Sequence, residues 1–407
     1  MFVVPRGTPP PPTARKQRAC YHPRVTRLRL AGAALLAAAA LLASACVSVT
    51  NPEGWAPPVL DGTALYLTTD HGHISRTALA ADGRSATAAW TFPDKDIKAD
   101  DKLRPNAAYG PPILADGRVY YATYEAGVFA LNAETGRPEW PEEGKTNASA
   151  IKGNIAGGLA YANGILFFGT TEGRLYGWYA ANGAPAQGWE TPLQFDSGIW
   201  ATPVAIGGTL YVATMNGELH AIRISDRSPA WPQPLKISGA IPDLVALDDA
   251  RLFVPSINRH VYIVEAATGR VLTDFRAKDW VWTAPALDGN RLFFGDFGGH
   301  IYGLDISTSP ATELWSPAST EGHRVKAAPV IVDDVLVVAD RGPVVTFIDA
   351  RSGEVLNRVP IDGAGTVRAN LLAANGGAYI LTTKARLFFA NPANRSVVEV
   401  PVSGVKR

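Results

Sequence analysis

The sequence is poor in cysteine. Only Cys20 and Cys46 carry a thiol among 407 residues, and both precede residue 47. The body that follows has no disulfide, no thiolate metal site and no cysteine nucleophile. Charge is also sparse: Asp, Glu, Lys and Arg make up 18% of the chain and nearly cancel, for a formal net charge of +1. No long basic or acidic run occurs in the body, which argues against electrostatic capture of nucleic acid. Motifs of hydrolases, phosphate loops and zinc peptidases are missing.

Turn formers, by contrast, are abundant, with 39 Gly and 31 Pro. The stretch from Thr283 to Trp315 shows why. Ala286-Leu287 runs into Asp288-Gly289, a two-residue hairpin signal. Arg291 to Gly295 runs to Gly298-Gly299. His300 to Leu304 ends in Asp305 and a Ser/Thr cluster, and Thr312 to Trp315 closes the unit. These are four strands of a small antiparallel sheet, apolar on both faces and so unable to stand alone.

The unit recurs. Its second strand is found again at Leu65-Tyr66, Val119-Tyr120, Leu166-Phe167, Leu210-Tyr211, Leu252-Phe253, Leu292-Phe293, Leu336-Val337 and Tyr379-Ile380, at intervals of 40 to 54 residues. Eight four-stranded copies predict an all-β fold, a single eight-bladed β-propeller over about 54–402, with a short tail at 403–407. Each sheet then covers its neighbours' faces. How the ring closes is left open, because the eighth unit owns a last strand at Ser396 to Val402.

Ahead of the repeats, residues 1–24 are rich in Pro and Arg and read as a disordered leader. Arg24, Arg27 and Arg29 precede an apolar run from Leu30 to Leu42, too short for a membrane span and of signal-peptide length. It ends in Leu42-Ala43-Ser44-Ala45-Cys46. Small residues before a lone Cys resemble the lipobox of bacterial lipoproteins, which implies a signal peptide over 1–45, diacylation of Cys46 and a tether over 46–53. Two acyl chains give stable anchoring. The alternative is an ordinary secretory cleavage site. Initiation at Val25 would leave a compact signal. Between the first two units, Thr91 to Ala107 holds Asp94, Asp96, Asp100 and Asp101, but interleaved Lys95, Lys98 and Lys102 make it a solvated loop rather than a calcium loop.

After the third strand several copies carry a fuller pattern. They read Val128 to Gly136 followed by Trp140, Val261 to Gly269, and Phe347 to Gly353, with a closing Trp at 90, 140, 189, 231 and 315. This resembles the quinoprotein-type, or PQQ-like, propeller repeat. The resemblance is specific in units two to six and degrades in seven and eight, where the closing Trp is absent. It implies one of two branches. Quinoprotein dehydrogenases hold PQQ and a calcium ion; BamB-like lipoproteins of outer-membrane β-barrel assembly are non-catalytic, with eight blades on a lipid anchor. The second layout is the one seen here. The vicinal Cys pair of many quinoprotein dehydrogenases cannot exist after Cys46, and Asp196, Asp243 and Asp279 suit turn capping as well as catalysis.

Two constellations remain. His73, His260 and His300 fall at equivalent places in units one, five and six, which a propeller spreads around a ring, so they are expected on solvated strands rather than around one metal. Ten residues before the first member of each second-strand pair stand Trp55, Tyr109, Ala156, Trp200, Pro242, Trp282, Lys326 and Ala369, with Arg368 beside the last. In a propeller this position faces one mouth of the central channel. Trp55, Tyr109, Trp200, Trp282, Lys326 and Arg368 are therefore candidates for a ligand or peptide platform, the alternative being that they plug the channel.

The expected function is a monomeric, lipid-anchored scaffold of the cell envelope, outside the cytoplasmic membrane and on the periplasmic face of an outer membrane where one exists. It would bind envelope proteins, such as a β-barrel assembly complex, through its loops and channel mouth. The joints Thr91–Ala107 and Pro141–Ala150 share a face and are further candidates for that role. No catalytic residue, metal or cofactor is expected. A PQQ- and calcium-dependent alcohol dehydrogenase, and a surface lipoprotein binding a small ligand at the aromatic mouth, are the alternatives.

Overall fold

The computed structural model describes residues 53–69, 71–93, 107–125, 127–142 and 145–404. The leader, the lipobox with Cys46 and the Asp-rich loop lie outside these residues. Residues 51–407 form one compact unit. Its strands make eight consecutive antiparallel sheets, each with four strands in chain order from the axis outwards. The first strands are short: Val59–Asp61, Ile113–Ala115, Ala160–Ala162, Val204–Ile206, Val245–Ala246, Ala286–Asp288, Val330–Val332 and Leu372–Ala374. Neighbouring first strands touch from blade three to blade five and from blade six through blade eight to blade one, and so line the axis. At the inner end of blades two and three the backbones nearly meet. A Cβ on Gly110 would lie 2.0 Å from the Cα of Gly158, so only glycine fits there.

Local chemistry sets the blades. In blade six, Ala286–Asp288 pairs with Arg291–Gly295 across a tight turn with Asp288 opposite Arg291, and Gly289 in it adopts φ +58°. The turn from second to third strand is capped by one side chain in most blades. Thr170, Thr214 and Thr382 hydroxyls accept the N–H four residues on, and Asp296 and Asp340 do the same in blades six and seven.

The core consists of eight apolar clusters, one at every boundary between blades. Adjacent residues of a central strand serve different clusters. Phe168 packs towards blade two and Phe167 towards blade four, both fully buried. Each such ring contributes about 1.5–3 kcal/mol by leaving water. This is why the second strands are apolar at consecutive positions rather than alternating.

The closing tryptophans staple blade to blade. The indole N–H groups of Trp90, Trp140, Trp189, Trp231 and Trp315 donate to Ala133, Ala180, Ile224, Ala266 and Ala350 of the next blade, at 2.8 to 3.4 Å. The rings of Trp90, Trp140, Trp231 and Trp315 lie on Gly136, Gly183, Gly269 and Gly353, the glycines of the neighbouring turns. Blade four has Arg227 at that turn, and its guanidinium covers Trp189 at 5.3 Å. Blade five, expected to keep the full pattern, lacks a closing Trp. The receiving turn in blade six lacks its glycine too, so donor and acceptor are missing together. There the Ser309 hydroxyl donates to the Leu272 carbonyl at 2.6 Å instead. The outer strand of blade six is broken into Thr312–Glu313 and Ala318–Ser319, with Trp315 in the gap between them.

Closure takes a form that the sequence left open. Blade eight keeps its own outer strand, Ser396–Val400, two residues short of the expected extent because Pro401 ends it. Val402 and Ser403 then pair in parallel with Ala86 and Thr87, the outer strand of blade one. The Tyr379 hydroxyl of blade eight donates to the Gly83 carbonyl of blade one at 3.0 Å.

Candidate functional site

One backbone hydrogen bond recurs at the inner end of seven blades. It runs to Ala107 from Tyr124, Asn154 from Thr171, Gly198 from Met215, Ala240 from Ile257, Trp280 from Phe297, Arg324 from Arg341 and Thr366 from Thr383. Two residues beyond each acceptor stand Tyr109, Ala156, Trp200, Pro242, Trp282, Lys326 and Arg368, with Trp55 in the same place in blade one. Arg368, rather than Ala369, therefore occupies the eighth position. The pairing of Ala374 with Gly377 puts Ala378 where other blades have their first apolar residue, so Tyr379 matches Tyr66 and the sequence alignment was one residue out in that blade.

The structure draws several of these side chains together. Trp55 and Tyr109 have ring centroids 4.3 Å apart. The Lys326 amine lies 3.2 Å from the centroid of Trp55 and 5.0 Å from that of Trp282, so one cation is held between indoles of blades one and six. Arg368 pairs with Glu53 at 2.9 Å. Trp200 stands apart: it is 39% exposed and has no ring partner among the described residues. Ala156 and Pro242 add no polar group. Beside Trp55 and Arg368 there is a crevice of about 10 Å³, room for one water.

The electrostatics follow from burial. Lys326 is pushed down to about 7, first by burial and then by the guanidiniums of Arg368 and Arg341. The two indole faces act in the opposite sense, because their negative quadrupoles favour the cation. Burial raises Tyr109 to about 12. Arg341 is lowered by burial and by Arg368 and Arg324. Sequence reasoning missed Arg341 and Phe297. Each follows its mouth residue by fifteen positions, as every donor of the repeated hydrogen bond does, and that constant offset was a readable signal. Phe297 packs 6.0 Å from Trp282 and 6.4 Å from Trp280, itself 45% exposed.

The other candidates do not join this site. His260 binds Asp274 at 2.5 Å, and His300 binds the buried Asp296 at 3.1 Å, each within its own blade. The His73 N–H is held by the Thr69 hydroxyl. Among the described residues no three His, Cys, Asp or Glu are placed to hold a metal ion. Asp243 and Asp279 each accept the N–H of the following residue. Burial raises Asp243 to about 7. The joint after blade two is tied down, since Asn147 both accepts from and donates to the Val128 backbone.

Two family models match the chain. One, described as "Outer membrane protein assembly factor BamB", covers residues 231–404, and the other, "Glucose/ethanol/alcohol dehydrogenase, beta-propeller domain", covers 84–196. Over these residues the chain is similar to PQQ-like β-propeller repeats. Among its curated relatives are outer membrane protein assembly factors BamB. That of Burkholderia pseudomallei is 25% identical over 56% of this chain and 60% of its own length. That of Xanthomonas campestris is 24% identical over 65% and 77%, and that of Vibrio cholerae 29% over 67% and 59%. The chain thus spans about three fifths of the Burkholderia relative. Among solved structures, BamB from Moraxella catarrhalis superposes with a TM-score of 0.61 at 15% identity, over 86% of this chain and 95% of that one. The two propellers share the fold, and the basic, aromatic mouth is formed by this chain's own residues.

Proposed function

We propose that this chain is a non-catalytic cell-envelope lipoprotein whose PQQ-like propeller serves as a protein-interaction scaffold in outer-membrane protein assembly. The observation that carries this reading is that its curated relatives are named as BamB assembly factors and that the family model over blades four to eight has the same description. The architecture supports it physically. A ring with every blade face covered leaves loops and the channel mouth as its free surfaces. Cys46 would carry the lipid, placing the propeller on the periplasmic face of an outer membrane. The test is affinity capture of the tagged full chain from detergent-solubilised envelopes. Recovery of β-barrel assembly proteins is expected, and their absence would overturn the assembly role. Lipid labelling that survives Cys46→Ala would overturn the anchor.

A second reading is favoured by one observation, the dehydrogenase propeller model over residues 84–196. It predicts that PQQ with calcium produces a bound-quinone absorbance and dye-linked alcohol oxidation. The scaffold reading predicts neither.

A further inference from the structure

The charge at the channel mouth is not balanced. The whole chain has a net charge of only +1, yet Lys326, Arg341, Arg368 and Arg324 act on one another at a single place. Glu53 pairs with Arg368, and its charge also reaches Arg341. Lys326, Arg341 and Arg324 have no ion pair among the described residues. Repulsion between recessed cations is a standing cost in the folded protein, and a carboxylate placed among them would offset it. Lys326 and Arg341 are only partly exposed, whereas Trp200 and Trp280 are exposed and stand at or beside the same repeated hydrogen bond at the inner ends of blades four and six.

We propose that this mouth is a docking site for an acidic, extended peptide segment of a partner protein. Carboxylates would be received by Lys326, Arg341 and Arg324, and flanking side chains would rest on Trp200 and Trp280. The inference deepens the scaffold reading and rests on it by naming the chemistry of the segment bound. Two features favour a peptide over an anionic membrane. The amine is sunk between Trp55 and Trp282, where a flat bilayer cannot follow but a single chain can. Exposed indoles beside the cations suit side chains alternating along an extended strand. Guanidinium forks at 324 and 341 match carboxylates in bidentate geometry.

Binding by the detergent-solubilised full chain tests this, with a fluorescent peptide of alternating Glu and Gly as probe. The acidic peptide is expected to bind, and a Lys-Gly counterpart is not. Affinity should fall steeply with salt, because the contact is between charges. Lys326→Met and Arg341→Gln should each weaken binding about tenfold or more. Arg324→Gln, at an exposed position that cannot unfold the ring, should weaken it several-fold. Arg84→Gln, on an exposed turn of blade one, should leave it unchanged. A carboxylate beside Lys326 favours its protonated form, so binding should take up a proton near pH 8, read as a calorimetric enthalpy that varies with buffer. Equal binding by wild type and all three mouth variants would overturn the proposal. So would binding of inorganic phosphate or phosphatidylglycerol vesicles with the same variant dependence in place of the peptide. If assembly proteins are captured from envelopes while the acidic peptide fails to bind, the mouth assignment falls and the scaffold reading stands.

Discussion

The indole of Trp140 lies on Gly183 of the next blade, so that a Cβ built on the glycine would sit 2.5 Å from the ring. The same indole N–H donates to Ala180 at 2.8 Å. One residue of the outer strand thus fixes the distance and tilt between two blades, and its receiver has to be a residue without a side chain. Gly183 also adopts φ +70°, which an L side chain resists.

Gly183→Ala should therefore destabilise on two grounds, crowding and backbone strain, by about 2–4 kcal/mol. Trp140→Ala should cost about 3–5 kcal/mol by leaving a cavity at the boundary. Chemical denaturation of each variant checks this. In the double variant the costs should add up to less than their sum, because both changes break one contact.

Trp200 and Trp282 occupy equivalent positions but should behave differently. Trp200 is exposed and unpartnered by rings, so Trp200→Ala should change stability by no more than about 0.5 kcal/mol. Trp282 faces Lys326 and Phe297, and Trp282→Ala should cost about 1–3 kcal/mol. Equal melting temperatures for the two variants would show that mouth position alone, rather than contact, sets the cost.

Two displaced groups predict a stability minimum near neutral pH. Asp243 rises from an ordinary value of 3.8 to about 7, so the native state binds the extra proton between those values. Its contribution is full below pH 4 and is lost as pH rises through 7. Lys326 falls from 10.5 to about 7, so the unfolded chain binds the extra proton between those values. Its contribution is full above pH 10.5 and is lost as pH falls through 7. Asp243→Asn should flatten the acid side of the stability curve and Lys326→Met the alkaline side. Each effect should be about 1–2 kcal/mol, since water reaches both side chains in part. Thermal melts across pH 4 to 10 distinguish the two.

Removing residues 402–407 should loosen the ring without opening it. The deletion takes away the parallel pairing of Val402 and Ser403 with Ala86 and Thr87 and the packing of Val402 on the apolar cluster between blades eight and one, but leaves the buried residues of that cluster and the Tyr379–Gly83 bond. A loss of about 1–2 kcal/mol is expected, with faster amide exchange confined to the outer strand of blade one. Global unfolding on deletion would mean that the latch, not the core, closes the ring.

Much of the architecture was legible because it depends on short-range chemistry. The hairpin at Asp288-Gly289 and the glycine turns before Trp140 and Trp189 are local devices. Their repetition names the number of blades. The mouth was legible only in outline. Counting back from the second strand found Lys326 and Trp282, but it slipped by one in blade eight, where Gly376-Gly377 blurs the start of the strand. Arg341 escaped because it lies in a different turn from Lys326. The missing Trp of blade five passed unnoticed because its strands are otherwise regular.

By itself the sequence determined the eight units and their strand order, since each is set within about forty residues by alternation, turns and glycine. Which residues meet is another matter. Lys326 rests on Trp55, 271 positions earlier in the chain, and Val402 pairs beside Ala86. Such contacts arise only when the last blade returns to the first, because ring closure brings chain ends together at a distance that no local pattern encodes.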